Sequence, residues 1–221
     1  MPGEGRSARF RAEAGLGFDP RRAARALAEA DPALGRHIER VGPIRLRTNA
    51  LHNPFSALTE AIVYQQLSGK AAETILGRVC ALFHPRRFPR PEDLRDVAPE
   101  RLRGAGLSRA KVLAVQDLAA RALDGTVPSL ARLKRMADEE IVERLTSIRG
   151  VGPWTVEMML IFRLGRPDVL PVHDYGVRKG FARVFRTRGL PTPKQVSRRG
   201  ERWRPYRTAA AWYLWRALDP S

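Results

Sequence analysis

The sequence predicts an all-α fold. Apolar residues recur at three- and four-residue intervals through most of its length, and alternating strand patterns are nearly absent. The apolar stretches are also punctuated by helix start and stop signals. Asp19-Pro20 opens a first helix to about residue 30, because an Asp oxygen can cap exposed amides and proline is preshaped for a first turn. Asp31-Pro32 opens a second helix, which ends before Gly42-Pro43, and residues 44–48 read as a short extended piece. A helix over about 55–65, a turn at 66–69 and a helix to about 83 follow, before prolines break the pattern across 85–91. Residues 93–106 read as short helical turns. Ser108 caps a longer helix carrying Val112, Leu113, Val115, Leu118 and Leu123, and Gly125 ends it. Helices over 128–136, 138–147, 153–164, 175–185, 193–199 and 205–218 complete the set. Residues 1–17, rich in Gly, Arg and Ala, read as a disordered lead-in.

The chain has 221 residues and is 43% hydrophobic, enough to bury a core as one domain or two small lobes. Its 40 Lys and Arg outnumber 23 Asp and Glu, giving a formal charge of +17. That excess is spread along the chain, so a folded basic surface and a polyanionic partner are expected, as for nucleic-acid, ribosomal and membrane-surface proteins. Cys80 stands alone, which excludes an intrachain disulfide or an iron–sulfur cluster, and no Cys/His group has zinc spacing. No apolar run approaches the ~20 residues of a membrane span, and no export signal is apparent. A reducing cytoplasm is the expected compartment.

The most informative segment is residues 145–174. Asp138 is expected to cap a helix over 139–147, Gly150 and Gly152 to permit a tight reversal, and Pro153 to open the next helix. Bare amides at that helix start, with glycines allowing close approach, make a seat for a backbone phosphate. This is a helix-hairpin-helix pattern over 138–164. Asp174 is the only carboxylate between residues 169 and 200, where Arg178, Lys179, Arg183 and other cations crowd around it. It can cap the helix starting at Tyr175, serve chemistry, or do both.

The Gly-Val-Gly hairpin, the helix after it and the Pro-containing loop ending in Asp174 resemble the helix-hairpin-helix/Gly-Pro-Asp superfamily of DNA glycosylases. Gly152-Pro-Trp-Thr155, the Gln65-Gln66-Leu67-Ser68 turn and Glu201-Arg-Trp-Arg-Pro-Tyr-Arg207 make it similar to the 3-methyladenine DNA glycosylase II (AlkA/Mag) branch, over residues 53–218. Longer members carry an N-terminal β domain. The residues before Asn53 are too few and too helical to supply one, so a compact form is expected.

The resemblance implies two helical lobes, a central one (53–165) and a second from 18–52 and 166–221, with an active-site cleft between them. It implies a monofunctional enzyme that flips alkylated purines from damaged duplex DNA and hydrolyses the glycosidic bond, with Asp174 stabilising the sugar cation. Trp154, Tyr175, Trp215, Met158 and Phe55 match base-pocket positions, where aromatic faces would favour cationic alkylated rings. Gln66 or Leu67 would enter the DNA as a wedge. Gly150, Val151, Gly152 and Thr155 would grip phosphate, and carbonyls of Thr146, Ile148 and Val151 match the seat of a sodium or potassium ion. No other cofactor is required, and a monomer is expected. Each residue also has a plainer role available: the hairpin as an interhelical turn, the glutamines as helix-end partners, the aromatics as core. Trp203 and Trp212 are assigned to the core and His173 to a structural role. A general acid is not needed for a cationic leaving group, and no second carboxylate stands near Asp174 in the sequence. A glycosylase/lyase reading lacks a lysine at the position of Trp154 and a four-cysteine cluster; a non-catalytic hairpin module would use Asp174 only as a cap.

Overall fold

The computed structural model describes residues 15–85 and 88–220. Among them are thirteen α-helices, a 3-10 turn and no strand, as the apolar spacing predicts. α1 (Pro20–Ala30) and α2 (Pro32–Val41) start after Asp19 and Asp31, α3 (Pro54–Tyr64) after Asn53, and α4 (Gly69–Ala81) after Ser68. Prolines begin α5 (Pro91–Asp96) and α6 (Pro99–Gly104); Ser108 caps α7 (Arg109–Leu123) and Ser129 caps α8 (Leu130–Leu133). Then come α9 (Asp138–Thr146), α10 (Pro153–Phe162), α11 (Tyr175–Phe185), α12 (Pro193–Gly200), the 3-10 turn Glu201–Trp203 and α13 (Arg207–Arg216).

Several boundaries depart from expectation, each for a local reason. Asp138 is the first residue of α9 and does not cap it; with Glu139 and Glu140 it places three acids in the first turn, where the helix dipole favours them. The helix expected over 128–136 shrinks to α8, which Ser129 caps and which ends at Leu133, with both Leu133 and Met136 buried. The last helix starts at Arg207, since the Tyr206 N–H closes the preceding turn onto the Trp203 carbonyl at 2.8 Å. Residues 44–48 form no strand. Of the expected lead-in, residues 1–14 lie outside the described residues. Gly17, at the end of that segment, donates its N–H to the Gly165 carbonyl at 2.8 Å.

The chain forms two units, with the division inside α10 between Val156 and Glu157. In the unit built on Leu51–Val156, α7 is the centre, packing on α3, α5 and α6 through buried Val112, Val115 and Leu118. In the unit built on Ala12–Ala50 and Glu157–Ser221, α13 is the centre and is buried continuously from Thr208 to Leu214. Ala209, Ala210 and Ala211 let α1, α2 and α11 approach it closely. Gly180 of α11 lies against the Leu214 carbonyl, where a Cβ would collide with backbone. Asp31 does not cap α2 with its side chain. Its buried carboxylate instead takes two bonds from Arg199 (2.7 and 2.8 Å) and one from the Trp203 indole (3.1 Å), fastening α12 and the 3-10 turn to α2. Burial pushes its carboxyl up, but the Arg199 and Trp203 hydrogen bonds and the Arg199 charge outweigh burial and hold it below the ordinary value.

Candidate active site and DNA-binding hairpin

The hairpin reverses within six residues after α9. The Ile148 N–H donates to Leu145, the Val151 N–H donates to Ile148, and Gly150 between them has φ of +78°, the left-handed region that glycine tolerates. A Cβ on Gly150 would also lie 2.8 Å from the Ala114 methyl of α7. Gly152 differs: its φ is ordinary and a Cβ there would meet open space, so the fold itself does not require glycine. The expected phosphate grip also narrows. The N–H groups of Val151 and Thr155 are consumed by Ile148 and Gly152, whereas those of Gly150 and Gly152 have no partner among the described residues.

The turn after α3 is tied to this hairpin. Gln65 Nε2 donates to the Gly150 carbonyl at 2.8 Å, and Lys111 of α7 donates to the Val63 and Gln65 carbonyls, both at 2.7 Å. Burial lowers the Lys111 ammonium from its ordinary value. Lysine, and not glutamine, therefore satisfies the end of α3. Gln66 is left exposed at φ +58°, with exposed Leu67 beside it. The Arg149 N–H donates to Asp117 at 2.8 Å and fixes the hairpin's far side to α7.

Asp174 begins α11. Its Oδ1 accepts from the Val177 N–H at 2.7 Å and from the Trp215 indole Nε1 at 2.8 Å, so the carboxylate is a true N-cap and is also oriented by α13. Gly176 makes this possible: a Cβ there would stand 3.0 Å from Asp174 Oδ1 and 3.0 Å from Trp215 Cδ1. Trp215 is stacked on Phe162 of α10 at 5.8 Å between centroids. The loop leading to Asp174 is clamped by Arg207, which donates to the Asp168 carboxylate at 2.8 and 3.0 Å and to its carbonyl at 2.8 Å, with Arg204 adding a bond at 2.7 Å. Thr208 Oγ1 accepts from the Val169 N–H and donates to the Arg166 carbonyl. The Glu201-to-Arg207 segment therefore holds the loop that presents Asp174.

A further carboxyl, Glu157 of α10, feels the Asp174 charge. Burial and then that charge push it up to about 7, and its Oε2 has no hydrogen-bond partner among the described residues. Sequence order hid it, since Glu157 sits among apolar residues of α10 and far from Asp174 in the chain.

The family model for HhH-GPD superfamily base excision DNA repair proteins matches residues 59–205, spanning the hairpin and the Asp174 loop. The chain belongs to this HhH-GPD superfamily. It is 40% identical over 163 residues to DNA-3-methyladenine glycosylase 1 of Schizosaccharomyces pombe, covering 74% of this chain and 72% of that protein. Among solved structures it is similar to a 3-methyladenine DNA glycosylase of Schizosaccharomyces pombe in complex with abasic DNA, at TM-score 0.76 and 37% identity, over 88% of this chain and 95% of that one. A DNA-3-methyladenine glycosidase of Bacillus halodurans superposes at TM-score 0.79 with 34% identity, over 92% and 91%.

The other expected pocket residues of this HhH-GPD protein fall in both units. Trp154 is 48% exposed; Phe55, at 5%, is a core residue of α3 and not an open wall. Met158 is half-buried, and Tyr175 is 63% exposed with the Lys179 ammonium 5.8 Å from its ring centre. Trp203 and Trp212 are buried, as assigned. His173, given a structural role in the sequence reading, is exposed on the loop before Asp174. The Thr146, Ile148 and Val151 carbonyls are neutral oxygens that suit a hard monovalent cation, and those of Thr146 and Val151 accept no hydrogen bond among the described residues. These three residues fit such an ion.

Proposed function

We propose that this chain is a monofunctional DNA glycosylase that extrudes alkylated purines from duplex DNA and hydrolyses their N-glycosidic bond. The observation that carries the reading is Asp174, a carboxylate oriented by two donors onto one oxygen at the head of α11. Cleaving the glycosidic bond makes a sugar cation, and a prepositioned anion lowers its energy only as that charge develops. The names of the relatives, each a 3-methyladenine glycosylase or glycosidase, support this substrate class.

Other groups take the steps around that event. The Gly150 and Gly152 amides receive phosphate, and an ion bound by the Thr146, Ile148 and Val151 carbonyls would add positive charge against it. Gln66, held on the turn that Lys111 and Gln65 brace, fills the vacated stack, with Leu67 its neighbour. Tyr175, Met158 and Trp215, all of the unit that holds Asp174, offer apolar and aromatic surface to the base, and a cationic purine gains about 0.5–2 kcal/mol per favourable ring face. Water attacks the sugar carbon with Asp174 orienting it. The protein acts as a monomer in the cytoplasm. The test is base release from duplexes carrying 3-methyladenine, 7-methylguanine, hypoxanthine or 8-oxoguanine. Release of the alkylated bases with an intact abasic strand is expected, and release of 8-oxoguanine alone would refute the assignment.

A further inference from the structure

Glu157 is chemically odd for a helix residue in an otherwise apolar stretch. It is removed from much of the solvent, its Oε2 has no hydrogen-bond partner among the described residues, and the Asp174 carboxylate acts on it. The charged groups on the surrounding elements are engaged elsewhere. Arg178 of α11 donates to the Pro191 carbonyl, Asp168 of the loop takes Arg204 and Arg207, and Arg216 of α13 pairs with Asp219. Arg163 and Arg166 lie beyond the end of α10, and His173 is exposed on the loop. Burial and the Asp174 charge both act on this carboxyl in the same direction.

A buried carboxyl beside a carboxylate keeps its proton near neutral pH, and burial with the Asp174 charge pushes this one up to about 7. Two carboxyls whose environments drive them apart in this way are the pattern of an acid paired with an anion. The unpartnered Oε2 gives the pair a polar atom with no role in the fold. Glu157 and Asp174 belong to the same unit, and the buried Oε2 is left for a partner that the fold does not supply.

We propose that Glu157 is a general acid of this site, giving its proton to a ring nitrogen of a neutral damaged purine as the glycosidic bond breaks. This rests on the glycosylase reading above. The bonding electrons of the C1′–N9 bond leave with the purine, the Glu157 proton neutralises it, and the sugar cation forms beside Asp174. Water then adds to C1′, and its proton goes to the carboxylates, which restores protonated Glu157. A purine alkylated at N3 or N7 is already cationic and leaves without that proton. Glu157 therefore sets how far the substrate range extends to neutral bases.

The experiment measures single-turnover base release between pH 5.5 and 8.5, for wild type and Glu157→Gln, on duplexes carrying 7-methylguanine or hypoxanthine. Wild-type hypoxanthine release should fall toward tenfold per pH unit above about pH 7, while 7-methylguanine release holds or rises. In Glu157→Gln the ratio of hypoxanthine to 7-methylguanine release should drop by about 100-fold, and the break near neutrality should vanish. An unchanged ratio with an unchanged pH break overturns the proposal, as does wild type that releases 7-methylguanine and no hypoxanthine at any pH. Because both readouts are comparisons between lesions, a variant that merely loses folded protein lowers both rates equally and counts against the proposal. Failure to release 7-methylguanine even in wild type would instead remove the glycosylase reading itself.

Discussion

Asp174 does two things that a pair of substitutions separates. Asparagine retains an oxygen where Oδ1 receives the Val177 N–H at 2.7 Å and the Trp215 indole at 2.8 Å, so Asp174→Asn removes the charge and keeps the cap. Asparagine caps helices about as well as aspartate, and the lost charge–dipole interaction is worth about 0.3–1 kcal/mol. For a chain of this size that lowers Tm by no more than about 4 °C. The reaction should suffer far more. A preorganised group facing transition-state charge is worth about 2.7–4 kcal/mol, so single-turnover release of 7-methylguanine should fall by about 100- to 1000-fold while duplex affinity holds or tightens. Asp174→Ala also removes the cap, costing about 1 kcal/mol more in stability and adding little to the kinetic loss. Rates come from base release at saturating enzyme and stabilities from thermal melts. Near-wild-type excision by the asparagine variant would refute the reasoning, and so would rates that follow Tm across the pair, since the carboxylate would then be only a cap.

Gly152→Val should leave Tm nearly unchanged because its Cβ faces open space, yet weaken binding to damaged and undamaged duplex alike; Gly150→Val should destabilise the fold, with φ +78° and Ala114 2.8 Å from the added carbon. Parallel melts and salt-dependent binding separate the two, and a Gly152 variant with full non-specific affinity would remove the hairpin as phosphate seat. Gln66→Ala should slow excision from paired duplex more than from a mismatch, where extrusion costs less; equal losses on both would make Gln66 a structural residue. Stability should respond to pH in opposite senses at two carboxyls. Asp31 is held low in the folded state, so its contribution is present above the unfolded value and fades as pH falls through the folded one; Asp31→Asn should lower Tm at pH 7 and converge with wild type in acid. Glu157 is held high, so its burial destabilises as pH rises from the unfolded value toward about 7; Glu157→Gln should raise Tm at pH 8 and match wild type near pH 4, and the reverse order would contradict its burial. Borohydride should trap no covalent protein–DNA adduct, because Trp154 offers no amine and the nearest lysine after Asp174, Lys179, lies over the Tyr175 ring; an adduct with enzyme-dependent strand cleavage would establish lyase chemistry.

Most helices could be read from the sequence because their signals are local. Asp19, Asn53, Ser68, Ser108 and Asp174 each cap the helix that follows, and each needs only the next three residues to do so. Apart from the local shifts of helix ends, two readings failed on distant partners. Asp31 looks like one more cap, but its carboxylate goes to Arg199 and Trp203, and nothing near residue 31 announces them. Gln65 and Gln66 look equivalent in sequence. Lys111, arriving from α7, takes the carbonyls at the end of α3, so Gln65 can reach Gly150 while Gln66 remains on the exposed turn.

The site follows the same rule. Asp174 and the hairpin are legible because a glycine reversal and a lone acid among cations are features of short segments. Gly176 and Glu157 are not, since each matters through a side chain that folding brings to it. At Gly176 the second residue of a helix must lack a Cβ so that an indole from α13 can reach the carboxylate that caps that helix. At Glu157 the surrounding apolar positions of α10, which on their own read as core, do chemical work by excluding water. Exclusion favours the protonated carboxyl, and the same exclusion strengthens the Asp174 field acting on it. A hydrophobic helix face thus becomes part of the acid–base apparatus without contributing a reactive atom, and a test of that apparatus must vary pH as well as sequence.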